Sequence, residues 1–567
     1  MLLIWQEISK NSIASRRGAQ LGVPGPIKGK SMQRWNGWGD ENIVYALSDE
    51  ALAFLGARLG PGSPMVGATF DGACAQVPTS RLAPHPLIDT QPATRVRHAL
   101  GQSLPDWFKL RHGRIGAVPD GVAFPDSAQQ VRQLLEYARQ ACVAVIPYGG
   151  GTSVAGHLTV APGPRPVLVL SLARLCALGH LDREAQLATF GAGVYGPDLE
   201  AQLRAHGYTL GHYPQSFEYS TLGGWIATRS SGQQSLRYGR IEQLFAGGEV
   251  ETPAGTLSIP TFPASAAGID LREMVLGSEG RLGVLTQATV RVSPLPPYEA
   301  FHAVFFADWG QGQAAVRALA QAGLQLSMLR LSNALETQTM LTLAGHKKLV
   351  GLLERYLSLR GCGDGKCMLM VGVSGEAKGA RAALRAALAL AHRHGGVHVG
   401  RHMGDKWKQG RFRNVYLRNG AWEHGYVIDT VETAVDWPRV TLMMAALERA
   451  GSGALAQHGE QVHAYTHLSH VYAQGASVYT TYVYRLASTY EENMARWRSL
   501  KDAASAAIVA NGGTISHQHG VGTDHAPWLA AEKGDLGIAA MRALFRQVDP
   551  QGMMNPGKLL PEAGDVL

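Results

Sequence analysis

Pro147-Tyr148-Gly149-Gly150-Gly151-Thr152-Ser153-Val154-Ala155-Gly156 follows directly on the apolar run Cys142 to Ile146, so three glycines stand where a buried strand turns. Lacking Cβ atoms, consecutive glycines let main-chain amides close around a bulky anion, and Thr152 and Ser153 add hydroxyl donors. The stretch reads as a phosphate cradle. It is neither a P-loop, since no lysine follows, nor a G-x-G-x-x-G turn opening a helix. Alone, it reads equally as an ordinary glycine turn.

Two later stretches shift that balance. Residues 214–239, PQSFEYSTLGGWIATRSSGQQSLRYG, pack small and hydroxyl residues around Gly223, Gly224 and Gly232. Residues 277–292, GSEGRLGVLTQATVRV, run from a glycine-punctuated turn into an alternating strand. With these three segments in this order the chain resembles the FAD-binding fold of the vanillyl-alcohol-oxidase type. The resemblance implies an α+β protein with a PCMH-type FAD-binding domain and an α+β cap domain whose antiparallel sheet roofs the flavin. It implies that Gly149, Gly150, Gly151, Thr152 and Ser153 hold the FAD pyrophosphate. By the same likeness Ser220, Thr221, Gly223, Gly224, Thr228, Ser231, Glu279, Gly280 and Gly283 contact the rest of the cofactor. No histidine stands out as a tether, so the expected cofactor is non-covalent FAD.

A chain of 567 residues exceeds what one core usually supports. Apolar content of 46% with 17% charged residues excludes disorder as the default. A formal charge of +8, scattered rather than blocked, favours an anionic substrate or phospholipid surface over nucleic acid. Five cysteines form no regular framework, and Cys362 and Cys367 in GCGDGKC lack the second pair of a zinc site. No apolar run reaches the ~18 residues of a membrane span.

The expected organisation is an extension over residues 1–31, loosely ordered or an overlong start, a lead-in over 32–110, and the FAD-binding domain over 111–295. The cap or substrate domain follows over 296–540, with a return to the FAD domain over 541–567. From Val118 the sequence predicts strand, helix, strand and turn, with Asp126 or Ser127 as N-cap and Val131, Leu134, Leu135 and Ala138 as the apolar stripe. Ser293-Pro294-Leu295-Pro296-Pro297 is a rigid break. Beyond it, FHAVFFADW, a helix from Gln311 to Gln321 and LQLSMLRLS predict an antiparallel α+β unit.

Within this fold the chain is similar to the alkyl-dihydroxyacetone-phosphate synthase family through RWNGWGDEN, STLGGWIATRSSG, YGRIEQL, GSEGRLGV, VETAVDWPRV and ISHQHGVG. That family's reaction exchanges the acyl group of acyl-dihydroxyacetone phosphate for a fatty alcohol through a flavin N5 adduct, in ether-lipid synthesis. The resemblance implies Arg330 in LRLSN as a catalytic and substrate-binding residue and Arg418 in YLRN as a second substrate clamp. A guanidinium fork suits phosphate and keeps its charge when desolvated, although a single arginine is more often a surface ion pair. It also implies catalytic roles for Tyr479 in GASVYTTY, for His517 and His519 around Gln518, and for His212 in GHYPQS. A tyrosine titrating near ~10 needs cationic neighbours to act as a base, and an aromatic in an alternating strand is usually core packing.

The match departs at Gln518, where the family has a middle histidine, at Gln215, where it has aspartate, and at the tail NPGKLL. These departures keep open an FAD-linked dehydrogenase or oxidase of a 2-hydroxy acid or alcohol, in which a hydride moves to the flavin. A non-catalytic flavin scaffold is a third reading, at odds with the set Arg330, Arg418, Tyr479 and His519. No metal is expected: SHVYAQGASVY keeps only His470 of a dehydrogenase metal pattern, and His392, His394, His398 and His402 read as a solvated, glycine-loosened loop. The expected partners are a small lipid-like or phosphorylated substrate, a second copy of the chain in a homodimer, and a membrane surface. The chain ends Asp565-Val566-Leu567 rather than in a peroxisomal tripeptide, and a cytoplasmic location, peripheral at the membrane, is expected.

Overall fold

The strand that feeds the first glycine turn, Ala144–Tyr148, lies parallel to Val167–Ser171, and the computed structural model, which describes residues 33–344 and 347–560, builds outward from this pair. Gly121–Ala123 pairs parallel on the other side of Val167–Ser171, and Ile88–Asp89 closes a four-stranded sheet. The helix Ala128–Gln140 starts where the Ser127 hydroxyl accepts from Gln130 N, and buries Val131, Leu134, Leu135 and Ala138 as the sequence predicts. The expected extension over residues 1–31 lies outside the described residues.

A second, antiparallel sheet runs in the order Leu178–Asp182, Leu187–Gly191, Val284–Arg291, Phe245–Thr252, Gly255–Ile259. One core fills the space between these two sheets and the helices Ala128–Gln140, Gly196–Arg204 and Leu222–Thr228. Chain residues 144–153 and 219–224 approach so closely here that a Cβ on Gly150 would stand 1.7 Å from Tyr219 O. Only glycine meets that approach.

After the proline-rich break the chain enters a seven-stranded antiparallel sheet. Its order is Val397–Gly400, Tyr298–Phe306, Cys367–Gly375, Met328–Ser332, His463–Leu468, Gly475–Arg485, Tyr426–Asp436. Alternation along each strand sends Leu329, Leu331, Leu369, Val371 and Val478 to a core shared with the helices Trp309–Gln321, Ala377–Arg393, Val440–Ala456 and Tyr490–Ala510. The opposite face carries Arg330, Met368, Met370, His467 and Tyr479 toward the glycine turns. The sheet is therefore a roof with one oily side and one chemical side.

Two connections tie the ends to this frame. Val145 N donates to Met553 O and Asn555 N to Val145 O, both at 2.8 Å, so the tail adds beside the first glycine strand. Trp38 exchanges two hydrogen bonds with the Asn419 side chain, 3.1 and 2.9 Å, which seats the RWNGWG stretch on the helix Leu417–Glu423. The histidine-rich segment is not the loop its glycines predict. His392 ends a helix, His398 lies on an edge strand with its Nε2 2.9 Å from His302 Nδ1, and His402 opens the helix His402–Gly410. Pairing with Tyr298–Phe306 overrides the local glycine signal. Cys362 and Cys367 are buried free thiols.

Candidate active site

Between the glycine turns and the roof lies a cavity of about 690 Å³. All fourteen residues expected to contact FAD, from Gly149 through Gly283, line it. The main-chain amides of Gly150, Gly151, Thr152 and Ser153 donate to no protein acceptor among the described residues, and Ser231 Oγ is buried without a partner in the same wall. Free amides around a glycine turn with an orphaned hydroxyl beyond it form a donor set that fits a pyrophosphate and a flavin edge. Glu279 stands in the left-handed region (φ 53°). It accepts the amides of Val521 and Gly522, the latter at 2.8 Å, and lies 3.1 Å from His157 Nε2. Asn555 Nδ2 donates to Glu279 O at 2.7 Å. The flavin-side turn thus anchors the loop that holds His519.

Register gives the roof its chemistry. Met368 pairs with Ser332, Ser332 with His467, His467 with Tyr479, and Tyr479 with Glu432, a single row across five strands. His467 stacks on Tyr479 with ring centroids 4.8 Å apart and an interplanar angle of 19°, and His519 meets the same phenol edge-on at 5.7 Å and 84°. Arg330 lies two residues along its strand from Ser332, on the same face as the row, and donates from Nη2 to Glu336 Oε1 (2.7 Å) and from Nη1 to Ser332 Oγ (3.1 Å). Arg418 donates to Gln102 O (2.8 Å), lies 4.4 Å over the Trp107 ring, and makes no ion pair among the described residues. Lys501 pairs with Asp429 at 3.2 Å.

Burial governs the titrations. It pushes the Tyr479 phenol up, against the opposing pull of Thr430 and Arg418, so the group is a proton donor rather than the base that cationic neighbours would make of it. His519 is pushed down, chiefly by burial. Burial alone would raise the Glu336 carboxyl, but Arg330 and His467 hold it at about 2.

Two expected catalytic histidines do not reach the cavity. His212 sits behind Ser230, its Nε2 2.8 Å from Ser230 Oγ and its ring 4.8 Å from Trp225, and burial pushes it down to about 3. It acts on the cavity only through the serine. His517 lies beside the end of the row, outside the cavity lining. Its Nδ1 is 3.1 Å from Glu432 Oε1, and its Nε2 is 2.6 Å from both Arg240 Nη1 and Tyr472 Oη. Glu432, His470 and His517 together have ligand-like spacing. Arg240 can only donate, so Nε2 is the acceptor nitrogen and Nδ1 carries the proton toward Glu432. A protonated Nδ1 ligates no metal, and the cluster is a hydrogen-bonded support for the carboxylate.

The sequence missed several groups. Glu336, His467, Lys501, His525 and Asn555 all line the cavity. So does an apolar arm of Met340, Leu343, Leu349, Leu353, Met403 and Trp407. Its signal is present in ALETQTMLTL, where Glu336, Thr339, Met340 and Leu343 recur at helical spacing, but that pattern equally describes an ordinary core face.

Comparison with known proteins agrees with this architecture. Residues 119–259 match the model of an FAD binding domain, and residues 295–559 match that of the FAD linked oxidases, C-terminal domain. A solved alkyldihydroxyacetonephosphate synthase superposes with a TM-score of 0.80 at 24% identity, over 92% of this chain and 98% of that one. The Trypanosoma brucei brucei alkyldihydroxyacetonephosphate synthase is 28% identical over 93% of this chain and 92% of its own. The Dictyostelium discoideum alkyldihydroxyacetonephosphate synthase is 30% identical over 82% of this chain and 77% of its own. With FAD as its cofactor, a glycine cradle below and a row of proton-handling groups above, the chain belongs to the alkyldihydroxyacetonephosphate synthase family of FAD-dependent enzymes.

Proposed function

We propose that the protein exchanges the acyl group of an acyl-dihydroxyacetone phosphate for a long-chain alcohol, giving an ether lipid precursor. The observation that carries this reading is the apolar part of the cavity lining, Met340, Leu343, Leu353 and Trp407, which reaches Arg330 where Met340 Sδ lies 3.7 Å from Nη1. A small hydroxy acid has no use for such an arm, whereas an alkyl chain gains about 0.8 kcal/mol for each methylene it buries there. Arg418, with no carboxylate paired to it among the described residues, is the cation available to a substrate phosphate, while Arg330 is turned by Glu336 toward the reacting carbon. Tyr479 donates a proton to oxygen on the substrate, and His519 orients the phenol. Ser230 passes the influence of His212 to the flavin side, and His517 steadies Glu432 at the end of the row. FAD, held by non-covalent contacts through Gly149–Ser153 and the residues from Ser220 to Gly283, would supply a nucleophilic ring nitrogen toward the substrate carbon.

In the same reading residues 111–295 form the FAD-binding unit, 296–540 the cap, and 541–567 the return. The apolar arm fits a peripheral contact with a lipid surface, and no helix among the described residues is long and apolar enough to cross a membrane. A homodimer follows from the family likeness. Anaerobic absorption titration with palmitoyl-dihydroxyacetone phosphate tests the reaction. A spectral change with fatty-acid release supports it. An inert flavin there, with bleaching by a 2-hydroxy acid or an alcohol, would establish a dehydrogenase or oxidase instead.

A further inference from the structure

We propose that His467, oriented by Glu336, is the general base that takes the proton from the incoming alcohol. The inference rests on the acyl-for-alkoxy exchange argued above and assigns the second half of that exchange its own proton acceptor, separate from Tyr479 and His519.

Placement comes first. The helix Ala334–Leu343 presents Glu336, Thr339, Met340 and Leu343 to the cavity, so its carboxylate stands at the foot of the apolar arm and its hydrophobic side chains climb it. His467 lies beside that foot, its Nδ1 3.0 Å from Glu336 Oε1. An alcohol whose chain fills the arm has its hydroxyl at the lower end, where the lining changes from methionine and leucine to carboxylate and imidazole. The head of the second substrate and the dyad therefore meet at one level of the cavity.

Chemistry comes second. Glu336 Oε1 stands 3.0 Å from Nδ1, a buried ring nitrogen that completes no aligned hydrogen bond among the described residues, so the adjacent carboxylate favours a proton on Nδ1 and leaves the Nε2 lone pair as the acceptor. Nε2 has no protein partner among the described residues, and the ring lines the cavity while 9% of its residue surface stays open. Burial, with Arg330 nearby, keeps His467 below its usual range, so the ring is neutral and ready to accept. Tyr479 cannot share this task, because burial keeps its phenol protonated. The orienting carboxylate, the imidazole and the substrate hydroxyl then follow the order of a base held by a third group.

Over the whole exchange, the bond from C1 of the dihydroxyacetone unit to the acyl oxygen breaks and its electron pair leaves with the carboxylate. The bond from the alcohol oxygen to C1 forms. The alcohol O–H bond breaks, its proton passes to His467 Nε2 and then to solvent, and no electron changes carrier. Release of the first equivalent of fatty acid expels a carboxylate and needs no proton acceptor, whereas ether formation does.

That asymmetry is the test. Purified holoenzyme is given palmitoyl-dihydroxyacetone phosphate without alcohol to measure fatty-acid release, and then with labelled hexadecanol to measure ether formation. For His467→Gln, release falls by no more than about fivefold while ether formation falls by about 100-fold or more, the usual worth of a general base. Glu336→Gln, close to isosteric, also loosens Arg330 and lowers both activities, but lowers ether formation at least tenfold more than release, and it carries the test alone should His467→Gln lose FAD. Parallel losses in both assays, or unimpaired ether formation, would overturn the assignment. A wild-type enzyme that releases no fatty acid would instead overturn the exchange reaction itself.

Discussion

Arg240 Nη1 lies 2.6 Å from His517 Nε2, and this one contact converts a group with metal-ligand spacing into a proton-bearing support for Glu432. The guanidinium has no lone pair and occupies the nitrogen that would have to carry the proton if Nδ1 bound an ion. Exhaustive chelation is therefore expected to leave flavin absorbance and turnover unchanged. Arg240→Met, which frees Nε2, is expected to raise zinc affinity at least tenfold in a calorimetric titration.

Tyr479→Phe keeps the row register and the FAD spectrum but removes the buried proton donor. Turnover is expected to fall by roughly 10² to 10⁴, the range for one acid–base group. Since burial raises the phenol, the wild-type pH profile shows no alkaline limb from this residue below about pH 10, which steady-state rates across pH 6 to 10 will check.

Arg330 uses two nitrogens on two partners, Glu336 and Ser332. A lysine keeps the charge and loses that fork. Arg330→Lys is expected to lower kcat/KM by about 10-fold to 100-fold, a loss of roughly 1.4 to 2.8 kcal/mol of transition-state stabilisation, with FAD content unaltered in the absorption spectrum.

Gly150→Ala would drive a methyl carbon to 1.7 Å from Tyr219 O, a backbone atom with little freedom to retreat. The two glycine segments must then separate. The variant is expected to purify without yellow colour, and FAD added back is expected to bind at least 100-fold more weakly by fluorescence titration.

His525 lines the cavity with a buried Nδ1 that has no partner among the described residues, and burial pushes it down to about 3. The folded chain thus refuses a proton that the unfolded chain accepts below about pH 6.5. Stability from this residue is present above pH 6.5 and is lost as pH falls below it, by roughly 1.4 kcal/mol per pH unit at most. His525→Gln is expected to flatten the acid limb of the unfolding midpoint between pH 6.5 and 4.5, relative to wild type.

What could be read from the chain followed from local signals. Ser127 and the stripe Val131, Leu134, Leu135, Ala138 specify a capped amphipathic helix without help from elsewhere, and the glycines at 149–151 mark a close approach that only glycine permits. What could not be read depended on register. Ser332, Met368, Glu432, His467 and Tyr479 come from separate strands, and only pairing puts them in one row. His467 carries no local mark that separates it from His463, which faces Thr339 instead. Gly395, Gly396 and Gly400 gave a true composition signal with the wrong outcome, because an edge strand needs only a neighbour to pair with. His517 and His519 lie two residues apart, yet the turn sends one onto Glu432, outside the cavity lining, and the other into the cavity.

The carboxylate of Glu279, clasping the amides of Val521 and Gly522, makes the two halves of this enzyme poor candidates for shuffling. A cap exchanged between relatives would bring its own histidine turn but would find it shaped by a side chain belonging to the recipient. Specificity and cofactor use therefore have to be inherited together, and recombination that respects only the proline-rich break would yield chains whose lower half binds FAD while the histidine above it points nowhere useful.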